Sequence, residues 1–110
     1  MNENNTTNVG TAKQYVTFGD AIEHLRNGGI IERKGWNGKG MFVFKQMPSQ
    51  VPAKIVPSMT SLPEAVKIRF MENEVSPDYQ NQMAIVKPDG SIDSWIASSA
   101  DTFANDWVLI

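Results

Sequence analysis

Five of the six prolines fall in one stretch, at Pro48, Pro52, Pro57, Pro63 and Pro77. Proline fixes φ and offers no N–H to a ladder, so a segment punctuated this way cannot be a central strand and interrupts any helix. The regular structure is therefore read on either side of residues 47–78. A structureless loop of that length is unusual in a compact domain. The stretch is read as a partly ordered Pro-rich excursion that packs on the body or on another subunit. Within it, Glu64 to Phe70 fits a helical turn or a strand, and the sequence does not decide between them. The whole chain has 110 residues, 41% of them hydrophobic and 20% charged. That is one domain of globular composition, large enough for a single core without disulfides. Residues 1–14 are Asn- and Thr-rich and read as a flexible polar tail, leaving 15–110 as the folded domain.

Before the prolines, Thr17 and Asp20 have the spacing of a capping box. Phe18, Ala21, Ile22 and Leu25 then recur at i, i+3, i+4 and i+7, one apolar stripe of a helix over about 17–27. Asn27-Gly28-Gly29 is a left-handed stop. Ile30 to Arg33 reads as a short strand and Met41 to Lys45 as a denser one. Gly35-Trp36-Asn37-Gly38-Lys39-Gly40 between them is a tight turn, with Asn37-Gly38 a hairpin signal. After the prolines, Gln82 to Lys87 is a strand, Lys87-Pro88-Asp89-Gly90 a turn and Ser91 to Trp95 the return strand. Ser98 and Asp101 repeat the capping-box spacing before a short helix around 99–104. Trp107 to Ile110 is a last apolar strand. The sum is an α+β fold: a small antiparallel sheet built mostly of hairpins, one main N-terminal helix packed on it, and a short C-terminal helix.

Ten Lys and Arg against twelve Asp and Glu give a formal charge of −2, without the basic field expected of a DNA or RNA binder. The absence of cysteine excludes a disulfide scaffold, a thiolate metal site and a cysteine nucleophile. His24 is the one histidine, so no His-rich metal cage can form within the chain; on the polar side of the first helix it reads as solvated or capping. No run of 18 apolar residues suggests a membrane span. Met1 to Gly10 lacks the apolar core of a signal peptide, so the sequons at Asn4 and Asn5 carry no weight and the expected location is the cytoplasm. Dinucleotide-binding, Walker A, zincin and nucleophile-elbow motifs are missing. Gly38-Lys39-Gly40 lacks the Ser or Thr and the following helix of a phosphate loop. Glu72 and Glu74 read as solvated charges.

The tryptophans are more informative. Trp107, among apolar neighbours, reads as core. Trp36 lies in a glycine-bounded turn and Trp95 at the end of a hairpin strand; each fits packing or ligand contact equally. An indole face stacks on a nucleobase, and its N–H seeks a partner. Near these two in sequence are short polar groups: Asn37, Lys39, Ser98, Ser99 and Asp101. Such a set suits a nucleotide-like ligand, and it equally suits a hairpin turn and a helix cap.

Three stretches carry a family likeness. Thr17-Phe18-Gly19-Asp20-Ala21-Ile22 leads through Gly28 to Arg33-Lys34-Gly35-Trp36-Asn37-Gly38-Lys39-Gly40-Met41-Phe42. Tyr79-Gln80-Asn81-Gln82 runs to Pro88-Asp89-Gly90-Ser91-Ile92. Trp95-Ile96-Ala97-Ser98-Ser99 with Asp101 closes on Asn105-Asp106-Trp107. In this order they resemble the Thoeris anti-defence proteins of the second type, a small phage and prophage family, over about residues 15–110. The resemblance implies a molecular sponge rather than an enzyme. Such a protein sequesters cyclic nucleotide immune signals without degrading them: glycocyclic ADP-ribose made by TIR enzymes, and cyclic dinucleotides of the cyclic-oligonucleotide (CBASS) systems at a separate site. It implies a homotetramer with ligands between subunits, and no cofactor, metal, nucleic acid or membrane partner.

By position, the resemblance puts Trp36 and Trp95 against the ligand, with Asn37, Ser98, Ser99 and Asp101 beside them and Lys39 and Tyr79 as further candidates. The Pro-rich excursion and the tail depart from the shortest members. Tetramer formation would also bury the apolar Met47, Val51, Ile55, Val56 and Met59, which read as exposed. Two other readings stay open. A protein–protein interaction module would bind no nucleotide. A nucleotide-cleaving enzyme would need a perturbed titratable group, with His24, Glu72, Glu74 or Asp101 the candidates.

Overall fold

The computed structural model describes residues 14–36 and 39–110, so all but the last residue of the expected polar tail, and the Asn37-Gly38 hairpin signal, lie outside the described residues. In chain order the elements are helix α1 (Phe18–Arg26), strand β1 (Ile31–Arg33), a 3-10 turn (Lys34–Trp36), β2 (Phe42–Gln46), β3 (Ser49–Gln50), a 3-10 segment (Ala53–Ser58), α2 (Glu64–Glu72), β4 (Asp78–Tyr79), β5 (Gln82–Val86), β6 (Ile92–Ser94), α3 (Ser99–Thr102) and β7 (Trp107–Leu109). They divide into two compact units, Met1–Lys45 with Met83–Ile110, and Gln46–Gln82. The fold is α+β, as the sequence predicts.

The first unit holds a five-stranded sheet in the order β6-β5-β2-β1-β7. Its β1–β2 and β5–β6 pairings are antiparallel and local, whereas β7 returns from the far end of the chain to lie antiparallel beside β1. The β5–β6 turn forms at Lys87 to Gly90 as expected, with Gly90 at φ 87 and its N–H donating to the Lys87 carbonyl at 2.8 Å. Register decides which side chains meet. Ile31 faces Val43 on one side and Leu109 on the other, and Arg33 faces Trp107. Because side chains alternate along a strand, Ile31, Arg33, Val43 and Trp107 share one face. Onto that face α1 turns Ala21 and Leu25, and these residues with Ile31, Val43 and Trp107 form the buried core. Val16 bridges the outer edge of β7, exchanging hydrogen bonds with Trp107 at 2.8 and 3.1 Å.

The anticipated caps are present. The Thr17 hydroxyl accepts from the Asp20 N–H at 3.2 Å, and the Asp20 carboxylate accepts from the Thr17 N–H at 3.4 Å. His24 is half-buried, and its Nε2–H donates to the main-chain oxygen of Ile110 at 2.8 Å, tying α1 to the end of the last strand. Gly29 leaves room for that imidazole; a Cβ there would overlap the ring.

The second unit resolves the ambiguous stretch. Glu64 to Phe70 is helical, within α2, and Pro63 stands just before it as the N-cap residue. A proline there is harmless, because the first N–H groups of a helix have no partner within it. Pro57 is accommodated inside the 3-10 segment, and β3 pairs with β4 through Ser49 to Tyr79 and Gln50 to Asp78. Lys67 of α2 is buried, and its ammonium donates to the Pro57 carbonyl at 3.2 Å. One expectation is corrected: Val56 is not exposed but buried, inside the 3-10 segment that the prolines shape. Met47 and Ile55 are exposed, and Val51 and Met59 half-buried.

Helix α2 ends in a Schellman motif, with the Glu74 N–H donating to the Met71 carbonyl at 3.2 Å and the Val75 N–H to the Phe70 carbonyl at 3.1 Å. Glu74 occupies its left-handed position at φ 54, where glycine is usual. A side chain there costs about 1–2 kcal/mol, of which glycine's extra chain entropy would return about 0.5–1 kcal/mol. Glu74→Gly is therefore expected to stabilise the protein by about 0.5–1 kcal/mol, read as a higher urea midpoint. A lower midpoint would show that the Glu74 side chain makes a compensating contribution.

Candidate ligand-binding site

Helix α1, the turn after β1, the end of β6 and the start of β7 bring four aromatic rings together. Trp107 is fully buried, while Phe18, Trp36 and Trp95 are half-buried around it. The three indoles meet edge to face: Trp36 and Trp107 at 5.6 Å between centroids and 87°, Trp95 and Trp107 at 6.0 Å and 79°, Trp36 and Trp95 at 6.3 Å and 88°. Phe18 lies 5.3 Å from Trp107 and 6.4 Å from Trp95. All but the Phe18–Trp107 pair, which is tilted at 40°, are favoured edge-to-face geometries, each worth about 0.5–1.5 kcal/mol beyond burial. Trp107 is core, as its sequence context predicts. Trp36 and Trp95 pack on that core and also keep part of their surface free, so packing and ligand contact are compatible at both.

Beside the aromatic corner runs a polar network. Arg33, at the end of β1, donates through Nε and Nη2 to the two carboxylate oxygens of Asp106 at 2.9 and 3.3 Å, and through Nη1 to Asp101 Oδ1 at 2.9 Å. Its guanidinium lies 6.0 Å from the Trp107 ring centroid. The other oxygen of Asp101 accepts from the Ser98 N–H at 3.2 Å and the Ser98 hydroxyl at 2.9 Å, while that hydroxyl accepts from the Asp101 N–H at 3.1 Å. This is the expected capping box of α3, a single turn. The Asp101 carbonyl takes the Trp107 indole N–H at 2.9 Å.

Burial pushes the Asp101 carboxyl up. The bonds from Arg33 and from the Ser98 side chain and main chain more than offset that, and hold it below its ordinary value. The same contacts, Asp106 first and Asp101 second, raise Arg33. One cation thus sits between two carboxylates, so an anion arriving here meets no spare positive charge from Arg33 and must find local donors.

The structure brings Trp36, Trp95, Ser98, Ser99, Asp101 and Lys39 into the first unit. Ser99 is exposed at the first position of α3, and Lys39 is exposed with its N–H donating to the Trp36 carbonyl at 2.9 Å. Asn37 lies outside the described residues. Tyr79 belongs to the second unit, on β4 opposite Ser49, and is exposed. Glu72 and Glu74 also lie in the second unit, both exposed. The sequence does not single out as functional positions Arg33, Asp106 and Phe18, which the structure places in the corner and its polar network. A signal existed for Arg33: it is in phase with apolar Ile31 on a strand, so its charge has to find a partner at the edge of a buried face. Among the described residues, no group of three or more His, Asp or Glu side chains could hold a metal ion, and no helix is long and apolar enough to cross a membrane.

The first unit is a small α+β fold with an aromatic corner beside a network of Arg33, Asp101, Asp106 and Ser98. Residues 16–110 match the Tad2-like family, the Thoeris anti-defense 2-like domain. Thoeris anti-defense 2 of Bacillus phage SP01 is 32% identical over 98 residues, 89% of this chain and 98% of that protein. The chain belongs to the Thoeris anti-defense 2-like family. That is a family of phage anti-Thoeris proteins rather than a known enzyme class.

Proposed function

We propose that the protein is a phage anti-Thoeris sponge: it binds a cyclic nucleotide immune signal, with glycocyclic ADP-ribose as the first candidate and cyclic dinucleotides as further ones, and holds it without cleaving it in the cytoplasm of the host cell. The observation that carries this reading is the pair of half-buried indoles, Trp36 and Trp95, at 88° and 6.3 Å on a rigid core. Rigid aromatic walls lose little entropy when a ligand binds. Two planes at right angles cannot sandwich one base. One indole takes a base face, and the other takes its edge, a sugar or a second ring.

Ser99, Asn37 and Lys39 supply donors for the polar parts of such a ligand, Ser98, whose N–H and hydroxyl hydrogen are held by Asp101, offers a hydroxyl oxygen as acceptor, and Tyr79 is a further candidate. Asp101 acts through the cap it forms on α3. Two of the four candidate general bases are committed elsewhere, His24 to Ile110 and Asp101 to Arg33 and Ser98, and the other two, Glu72 and Glu74, lie exposed in the second unit, whereas the tryptophans belong to the first. This favours holding over cleavage. A homotetramer suits the exposed Met47, Ile55, Ile96 and Phe103, the last two at 86% and 81% exposure. The same residues would serve an interaction module with a host protein, which is the second reading.

Calorimetry against glycocyclic ADP-ribose and a panel of cyclic dinucleotides, followed by heating and chromatography of the released ligand, tests the proposal. Tight binding with intact ligand recovered is the expected result. Recovered product would mean an enzyme, and no binding to any of them would leave the interaction module. Stacking of a base on an aromatic side chain is worth about 1–3 kcal/mol, so Trp36→Ala and Trp95→Ala are each expected to weaken binding about 10- to 100-fold. Phe at either position should restore part of the affinity, since it keeps a flat face. Unchanged affinity in both alanine variants would remove the corner from the site.

A further inference from the structure

We infer that Arg33 is a positioning residue for ligand binding: its guanidinium, clamped between Asp101 and Asp106, is what holds the 98–106 segment, with Ser98 and Ser99, at the rim of the tryptophan corner. The inference rests on the proposed sponge reading and goes beyond it by assigning a role to a residue that stands outside the candidate contact set.

The argument begins with what else could hold the segment. Ser98, Ser99, Ala100, Thr102, Phe103 and Asn105 are all exposed. Phe103, the one large apolar side chain, is 81% exposed. Of the segment's side chains, only Ala104 packs against the hydrophobic core among the described residues, and a methyl group is a weak anchor for nine residues. The capping box and the Thr102 hydroxyl, which donates to the Ser98 carbonyl at 2.8 Å, are bonds within the segment; they shape α3 without attaching it to the sheet.

Among the described residues, two side chains attach the segment to the sheet. One is the Trp107 indole N–H on the Asp101 carbonyl. The other is Arg33, which grips the segment in its middle through Asp101 and at its end through Asp106, where the Lys34 N–H also donates to the Asp106 carbonyl at 3.0 Å. Arg33 is itself fixed, directly opposite Trp107 on the paired strand. The fork is used in full, bidentate on one carboxylate and single on the other. A lysine ammonium is a point charge and cannot reproduce that planar grip.

Position then becomes affinity. A segment ordered before the ligand arrives loses no chain entropy on binding, whereas a loose one must be ordered at the ligand's expense. Arg33→Lys keeps the charge and removes the geometry, so it is the informative variant, with Arg33→Gln and Asp106→Asn beside it. Two measurements on the full chain separate positioning from general stability. Calorimetry with glycocyclic ADP-ribose is expected to show about 10- to 100-fold weaker binding for Arg33→Lys, with the loss in the entropy of binding. Hydrogen exchange of the free protein is expected to show faster exchange confined to residues 98–106, with α1 and the β1–β2 pair unchanged and protection regained on adding ligand.

Affinity within twofold of the unmodified protein would overturn the inference. So would exchange raised evenly through the sheet, since that is how a merely stabilising ion pair behaves. Failure of the unmodified protein to bind any nucleotide would instead sink the sponge reading and the ligand half of this inference. The exchange measurement would still decide whether Arg33 orders the segment.

Discussion

Trp107→Ala is expected to cost about 3–5 kcal/mol of folding free energy, the range for truncating a large buried aromatic side chain. A small domain has only about 5–15 kcal/mol in total, so the variant should be near unfolding at room temperature. Three losses combine. The ring is fully buried at the centre of the core. It is the edge-to-face partner of Trp36 and Trp95. Its N–H satisfies the Asp101 carbonyl. Trp107→Phe separates these contributions. Phenylalanine keeps most of the apolar contact and loses the hydrogen bond, so it should recover more than half of the loss. Urea unfolding monitored by circular dichroism reads both. An alanine variant within 1 kcal/mol of the parent would mean that the aromatic corner does not hold the sheet to α1.

Asp101→Asn is expected to cost about 2–3 kcal/mol near neutral pH, the scale of hydrogen bonds to a charged group. It leaves Arg33 with Asp106 alone and weakens the cap of α3. The sign of the pH dependence follows from the direction of the shift. Asp101 titrates below its ordinary value of 3.8 in the folded protein. Its stabilisation is therefore complete above that value and disappears as pH falls through the lower, folded-state value. Unfolding curves of parent and Asp101→Asn should differ most above about pH 5 and converge in acid below the ordinary carboxylate range. A gap that stays constant from neutral pH down to pH 2 would show that the carboxylate charge is not what Arg33 and Ser98 hold.

These two residues illustrate how unevenly the site could be read from the sequence. The Asp101 cap was legible because a capping box is local: Ser98 and Asp101 stand three residues apart, and the chemistry of that spacing does not depend on the rest of the chain. Thr17 and Asp20 were legible for the same reason, as was the Lys87 to Gly90 turn. The partner of Arg33 was not legible, because it lies 68 residues away at Asp101 and 73 away at Asp106. Nothing in Glu32-Arg33-Lys34 marks which of three consecutive charged side chains forms the clamp except the phase of Arg33 with Ile31. Trp36 and Trp95 were ambiguous for a related reason. A turn tryptophan packs or binds according to what faces it, and here each does the first while leaving surface for the second.

The Pro-rich stretch shows the opposite limit. Its prolines correctly excluded a central strand, since a missing N–H is a property of the residue itself. They did not decide between helix and strand at Glu64 to Phe70, because no clean apolar stripe marks α2. Its form rests on Pro63 standing just before the first turn, on Lys67 reaching the Pro57 carbonyl, and on a Schellman ending built around Glu74.

The sequence by itself determined the local structure: two capping boxes, the hairpin turning at Lys87 to Gly90, the long helix and the exclusion of a central strand between 48 and 77. Each depends on contacts within a few residues and on side-chain chemistry that travels with the chain. Only the tertiary structure decided that β7 returns to β1, that Trp107 thereby stands opposite Arg33, and that three indoles meet at right angles beside a guanidinium held by two carboxylates. Those outcomes depend on strand register, and register is set by the packing of the whole buried face rather than by any short segment of the chain.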